Sequence, residues 1–249
     1  MMRALSLEFA KLRRKNVWLI CLGVAALCLM WVATDAARAA QGAPDGTASM
    51  LYTAPLINAI VLTLFAAVVS SRLCETDHEA QALKELLCVQ RPGSLFAAKL
   101  ACSLVLITAT VVLETAGLAM LASYKGFADQ LGIAGLAAFA ACQIGPTFTV
   151  AAVVQAVALR WENQFASLAL GLSLSLAGLF SLFFPPAVQR LVPSGYFGLL
   201  SCVRMDWDSV THVTSFYTVP FAWGDAALLA AICAAVIAVS AAWFSRKEL

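Results

Sequence analysis

Charge is the scarcest commodity in this chain: 12% of its 249 residues are Asp, Glu, Lys or Arg, against about 25% in an ordinary soluble domain. With 62% of residues hydrophobic, a water-soluble fold could not bury so much apolar surface, and the long uncharged runs read instead as a bundle solvated by lipid. The net charge of +2 is too small for a nucleic-acid partner, and no basic stripe with interleaved aromatics appears. Histidine is nearly absent. His78 and His212 fall on opposite predicted sides of the membrane, so no hydrolase or transferase site can use both. No glycine is followed by lysine, which excludes the G-x-x-x-x-G-K-[ST] loop that cradles ATP phosphates; ATP hydrolysis has to belong to another subunit and the chain itself is read as a non-enzyme. Paired C-x-x-C spacing is missing as well. Of the eight cysteines, Cys21, Cys28, Cys102, Cys142 and Cys233 lie in apolar runs as small hydrophobes, and no disulfide is expected. Cys74, His78 and Cys88 have a loose metal-like spacing, but a solvated loop explains them better than a zinc site.

Six apolar spans are present: 16–34, 52–71, 94–123, 131–159, 165–184 and 223–244. Each can cross roughly 30 Å of hydrocarbon at about 1.5 Å per residue. The first is preceded by Lys11, Arg13, Arg14 and Lys15 and followed by Ala36-Ala37-Arg38-Ala39-Ala40, a pattern that resembles a signal-peptidase site. Its apolar core exceeds the 7–15 residues of a signal peptide, and a retained helix is expected. Gly145-Pro146 should bend or interrupt the fourth span. Twelve of the sixteen lysines and arginines fall before span one, between two and three, between four and five, and after six. Short loops rich in Lys and Arg stay cytoplasmic. Both termini are therefore expected on that side.

Three segments outside the spans carry information. In 1–15, Leu5, Phe9 and Leu12 recur at helical spacing against Arg3, Glu8, Lys11, Arg13 and Arg14, the pattern of an amphipathic helix in the interface. In 76–89, Thr76-Asp77-His78-Glu79 has the form of a capping box, Leu83, Leu86 and Leu87 share one face, and Arg91-Pro92-Gly93 ends the helix. The connection 185–222 is far longer than the 2–8 residues usual between bundle helices. Its aromatics, among them Tyr196, Phe197, Trp207, Phe216 and Phe221, suggest short helices dipping into the outer leaflet.

Glu114, at membrane depth in span three, is a candidate contact for cargo because an ionisable group is costly to desolvate there. Asn58 and Gln143 join it as a candidate cargo path, although interhelical hydrogen bonding is the plainer role for both and for Gln155. Asp225 is read as capping span six, and Lys99 as snorkelling to the interface. Too few intramembrane charges exist for an obvious proton relay, and no inverted repeat is detectable, which disfavours an ion-coupled carrier.

Together these features describe an all-α integral membrane protein of one domain. It has six transmembrane helices, an N-terminal interfacial helix, a cytoplasmic helix between spans two and three, and short outer helices between five and six. The run Ser71-Arg72, Glu75, Ala82-Leu83-Lys84-Glu85-Leu86-Leu87, Arg91-Pro92 and Lys99, with the closing Trp243-Phe244-Ser245-Arg246-Lys247-Glu248-Leu249, resembles the permeases of type-two ATP-binding-cassette exporters. By size and by Trp161-Glu162-Asn163 it looks most like their lantibiotic-immunity branch. The resemblance implies a homodimer or heterodimer of permeases in the bacterial inner membrane, surrounded by lipid and resting on cytoplasmic ATP-binding-cassette subunits. This chain would bind no cofactor, with ATP and Mg held by the partner. The helix 76–89 would be the coupling helix, contacting the ATPase through Thr76, Glu79, Leu83, Leu86 and Leu87. The cargo would be an amphipathic peptide antibiotic or another apolar molecule. A stand-alone secondary carrier or channel, and a membrane scaffold without transport, are the competing readings; a co-purifying soluble ATPase separates the first reading from both.

Overall fold

The computed structural model describes residues 8–9, 11–12, 16–39, 44–79, 92–129, 132–161, 163–207 and 214–245. Among these, six long helices carry the fold: α1 (Val17–Arg38), α2 (Gly46–Glu79), α3 (Pro92–Lys125), α4 (Ile133–Arg160), α5 (Gln164–Ser181) and α8 (Trp223–Ser245). All six are long and apolar enough to cross a membrane, and each coincides with one expected span. The main departures are in length. At 34 residues each, α2 and α3 would extend about 50 Å at about 1.5 Å per residue, well beyond the hydrocarbon. Helix α2 runs without a break through Thr76–Glu79, where the capping pattern predicts a new helix start. A capping side chain serves backbone donors freed at a helix N-terminus, and inside a continuing helix those donors are already bonded.

Helices α2, α3 and α4 form the buried centre, while α1, α5 and α8 flank it and expose most of their surface. Outward apolar side chains such as Trp18, Leu19, Met30 and Trp31 on α1 suit lipid. With no hydrophobic gain to be had between helices in lipid, close approach of small residues has to supply the packing. Helix α5 supplies it with a buried row of Ser167, Gly171, Ser175, Gly178 and Ser181. Gly171 sits directly against Ala67 of α2, so that any added Cβ would collide. Ser167 Oγ donates to Ser71 Oγ at 3.1 Å and Ser175 Oγ to the Ile60 carbonyl at 3.2 Å.

Helix α4 contains Pro146 yet remains helical throughout, so of the bend or interruption expected there the interruption does not occur. Thr147 Oγ1 donates to the Gln143 carbonyl at 2.6 Å and Thr149 Oγ1 to the Gly145 carbonyl at 3.0 Å, placing polar partners around the turn that proline disturbs.

Between α5 and α8 lie α6 (Pro186–Gln189), a 3-10 turn at Pro193–Gly195, α7 (Tyr196–Leu199), and an antiparallel hairpin of β1 (Val203–Trp207) and β2 (Thr214–Thr218). Short helices are present in the first half of the connection. The hairpin was not expected, and it replaces helix in the second half of the connection, where the threonines and aromatics of Thr214-Ser215-Phe216-Tyr217-Thr218 suit a strand. Phe216 stacks on Tyr52 of α2 with centroids 5.7 Å apart. At this hairpin end, Asp129 accepts from the Thr47 and Ala48 backbone N–H groups at 2.9 and 2.8 Å and caps α2.

At the opposite, basic end, Asn16 takes a left-handed conformation (φ 51°) that turns the chain into α1. Of the expected interfacial helix, Glu8, Phe9, Lys11 and Leu12 are helical and the other residues lie outside the described set. Phe9 and Leu12 pack into the core with Val17, Cys21 and Leu73.

Candidate functional site

Two buried polar knots stand out, one toward each end of the bundle. The first is built around Lys99, on the third turn of α3. Its ammonium is fully buried, 3.0 Å from Glu8 Oε2 and 2.6 Å from the Leu73 carbonyl of α2. Glu8 is itself 3% exposed, and its other oxygen accepts from Lys11 at 2.8 Å. The snorkelling expected of Lys99 is therefore corrected: the N-terminal helix brings a carboxylate inward to the lysine, so the lysine need not reach solvent. A buried ammonium requires such a partner, because desolvation of an isolated one costs several kcal/mol or more.

Around this pair the helix ends are tied together. Glu75 of α2 accepts from Arg72 and from Gln164 at the start of α5, both at 3.2 Å. Gln155 of α4 donates to the Phe96 carbonyl of α3 at 3.0 Å, the interhelical role expected of it. Cys74 is buried against Leu95 and Phe96 and not in a solvated loop. The Arg160 guanidinium lies 5.3 Å over the Trp243 ring, which also meets Trp161 edge-on at 5.9 Å, fastening the α4–α5 junction to the end of α8. Of the expected coupling residues, Thr76 and Glu79 belong to the last turn of α2; Leu83, Leu86 and Leu87 lie outside the described residues.

The second knot joins the three residues of the expected cargo path. Asn58 of α2 donates both amide hydrogens, one to Glu114 Oε1 of α3 at 2.8 Å and one to Gln143 Oε1 of α4 at 3.1 Å. All three side chains are 0% exposed. Asn58 Oδ1, Glu114 Oε2 and Gln143 Nε2 remain without a hydrogen-bond partner. The three central helices are thus fastened to one another by a node that sequence spacing could only suggest residue by residue, and the node is enclosed by its own chain.

Asp225, expected as a cap, lies in the first turn of α8 and accepts from Arg190 Nε at 2.7 Å, linking α6 to α8. The hydrogen bond to Asp225 and the negative charge of that carboxylate hold the Arg190 guanidinium above its usual pKa. Asp129 was not singled out in the sequence. Its partners are 81 and 82 residues away, and no local pattern points to them.

These features define a multi-pass helical membrane protein whose polar chemistry is internal. The model of the ABC-2 family transporter proteins matches residues 4–178, well over half of the chain and inclusive of both knots, and the chain belongs to that family. No curated protein matches it. Members of the family form the membrane component of a transporter, so the chain is a transporter permease subunit and not its catalytic part, and membership implies association with ATP-binding-cassette subunits.

Proposed function

We propose that this permease is the membrane half of an ATP-driven exporter in the bacterial inner membrane, with both termini cytoplasmic and paired with a second permease chain. The partner subunits hold ATP and Mg and grip the segment 76–89. The observation that carries this reading is the buried Glu8–Lys99–Leu73 knot. It flanks that segment on both sides and joins the N-terminal helix to α2 and α3, so a push delivered there moves both helices as one body. The same two helices carry Asn58 and Glu114. Motion of α2 against α4 would part Asn58 from Gln143 and open the node, which stands as an occluded cargo path in the closed arrangement.

The cargo of this proposal is an amphipathic peptide antibiotic of the lantibiotic type, drawn from the membrane and expelled outward. Its support is the resemblance of Trp161-Glu162-Asn163 and of chain size to that branch, together with the aromatic hairpin end.

Co-expression with candidate ATPases tests the partner: a soluble ATPase should accompany the tagged chain, and Leu83→Asp with Leu86→Asp should abolish its retention. Unchanged retention in the double variant defeats the coupling assignment. Growth under lantibiotics, bacitracin-like peptides and small apolar drugs, with and without the complete transporter, tests the cargo; protection against drugs alone removes the peptide reading.

A further inference from the structure

The hairpin end also brings together two cysteines that neither knot uses. Cys142, on α4 immediately before Gln143, is buried to 1% exposure; Cys202, in the link from α7 to β1, is half-buried. Both thiols point at one acceptor, the Leu200 carbonyl, at 2.9 Å from Cys142 Sγ and 3.8 Å from Cys202 Sγ. Sharing that one oxygen places the two thiols side by side. The surroundings are apolar and tightly packed, with Tyr196, Leu199 and Leu229, so the two sulfurs are held as neighbours. Of the five other described cysteines, Cys21, Cys28, Cys74 and Cys102 are buried in the core and Cys233 lies on α8.

We propose that Cys142 and Cys202 form a thiol–disulfide exchange site, oxidised by a disulfide-bearing reagent of the outer compartment, that staples the outer connection onto α4. The asymmetry of the pair assigns the roles. Cys202 is the more accessible thiol, and the Cys142 thiol beside it, aided by the positive charge of Arg204, lowers its pKa against the effect of burial. Thiolate character and access are what make a cysteine the attacking partner. Its thiolate attacks one sulfur of the incoming disulfide, forming a mixed disulfide at Cys202 and releasing the first reagent thiolate. Cys142, deprotonated in turn, attacks Cys202 Sγ and expels the second. One S–S bond forms in the protein and one is lost in the reagent. Two protein thiols are oxidised, the reagent is reduced to two thiols, and both protons pass to it. The staple would hold the α7–β1 link against the residue next to Gln143 and so oppose opening of the polar node.

The test uses purified full-length permease in detergent, with oxidised glutathione as the probe. The expected result is a cross-linked pair of peptides containing Cys142 and Cys202, lighter by two hydrogens. Maleimide labelling of both after denaturation should be lost, the melting temperature should rise, and dithiothreitol should reverse all three. Cys142→Ser, or Cys142→Ala should serine disturb folding, should trap glutathione on Cys202, whereas Cys233→Ser should leave the cross-link intact. Persistent glutathione on Cys202 of the unmodified protein, or two thiols that remain fully labelled, overturns the proposal. In cells the bond also rests on the outward placement given under Proposed function. A cross-link that forms in the purified protein but not in intact cells counts against that orientation, while failure in both counts against the pairing.

Discussion

The two polar knots solve the same problem in opposite ways. At the basic end a full positive charge is buried beside a full negative one, with a carbonyl as third partner. Toward the hairpin end a single carboxyl group is held by two neutral amides, and three polar atoms are left without partners. An ion pair in low dielectric is rigid, because separating its members exposes each to the whole desolvation cost. A node of amide hydrogen bonds is weaker, since interhelical bonds of this kind in membranes average about 0.6 kcal/mol and reach only about 1–2 kcal/mol. Joined through α2 and α3, the pair is, on the function proposed above, the fixed base that receives force and the amide node the latch that yields to it.

That contrast can be broken at several points. The largest effect is expected from Lys99→Met, which should cost about 3 kcal/mol, the lower end for breaking a buried pair because Lys11 still faces Glu8. Chemical unfolding in detergent measures it. Adding Glu8→Gln should recover at least half of the loss, and a double variant no better than the single one would show that the pair is not the source. Glu114→Ala should cost about 1–3 kcal/mol by leaving an Asn58 amide hydrogen buried and unbonded. Glu114→Gln keeps an acceptor for that hydrogen and should cost less than about 1 kcal/mol, while still impairing transport if the acid meets cargo. Equal losses for Lys99→Met and Glu114→Gln would erase the difference between base and latch. Away from both knots, Asp129→Ala should remove about 1 kcal/mol through loss of the α2 cap. A thermal shift readable only at the α2 hairpin end by hydrogen exchange would place it apart from both knots.

Much of the architecture was legible before any coordinates. The six spans follow from runs such as Val17–Ala33 and Leu228–Ala242, because a helix is the one local structure that satisfies every backbone group without water. Glu114, Asn58 and Gln143 were visible as polar residues at membrane depth, and Gln155 as a helix fastener. Their union was not visible, since residues separated by 56 and 85 positions meet only through helix packing. Lys99 was misread for a related reason. A lysine near a helix end snorkels when nothing polar lies inside, and the presence of Glu8 there depends on how the N-terminal segment folds back. The hairpin was hidden by brevity, as five-residue strands resemble any amphipathic surface loop.

Scarcity of charge and the lengths of the apolar runs determined by themselves that this chain lives in a membrane as a helical bundle, because lipid imposes that solution on any such segment independently of its neighbours. Tertiary structure alone decided which polar groups confront one another: the buried ion pair, the three-helix amide node and the facing thiols each join residues far apart in the chain, and electrostatics and hydrogen bonding act over a few ångströms of space with no memory of sequence distance.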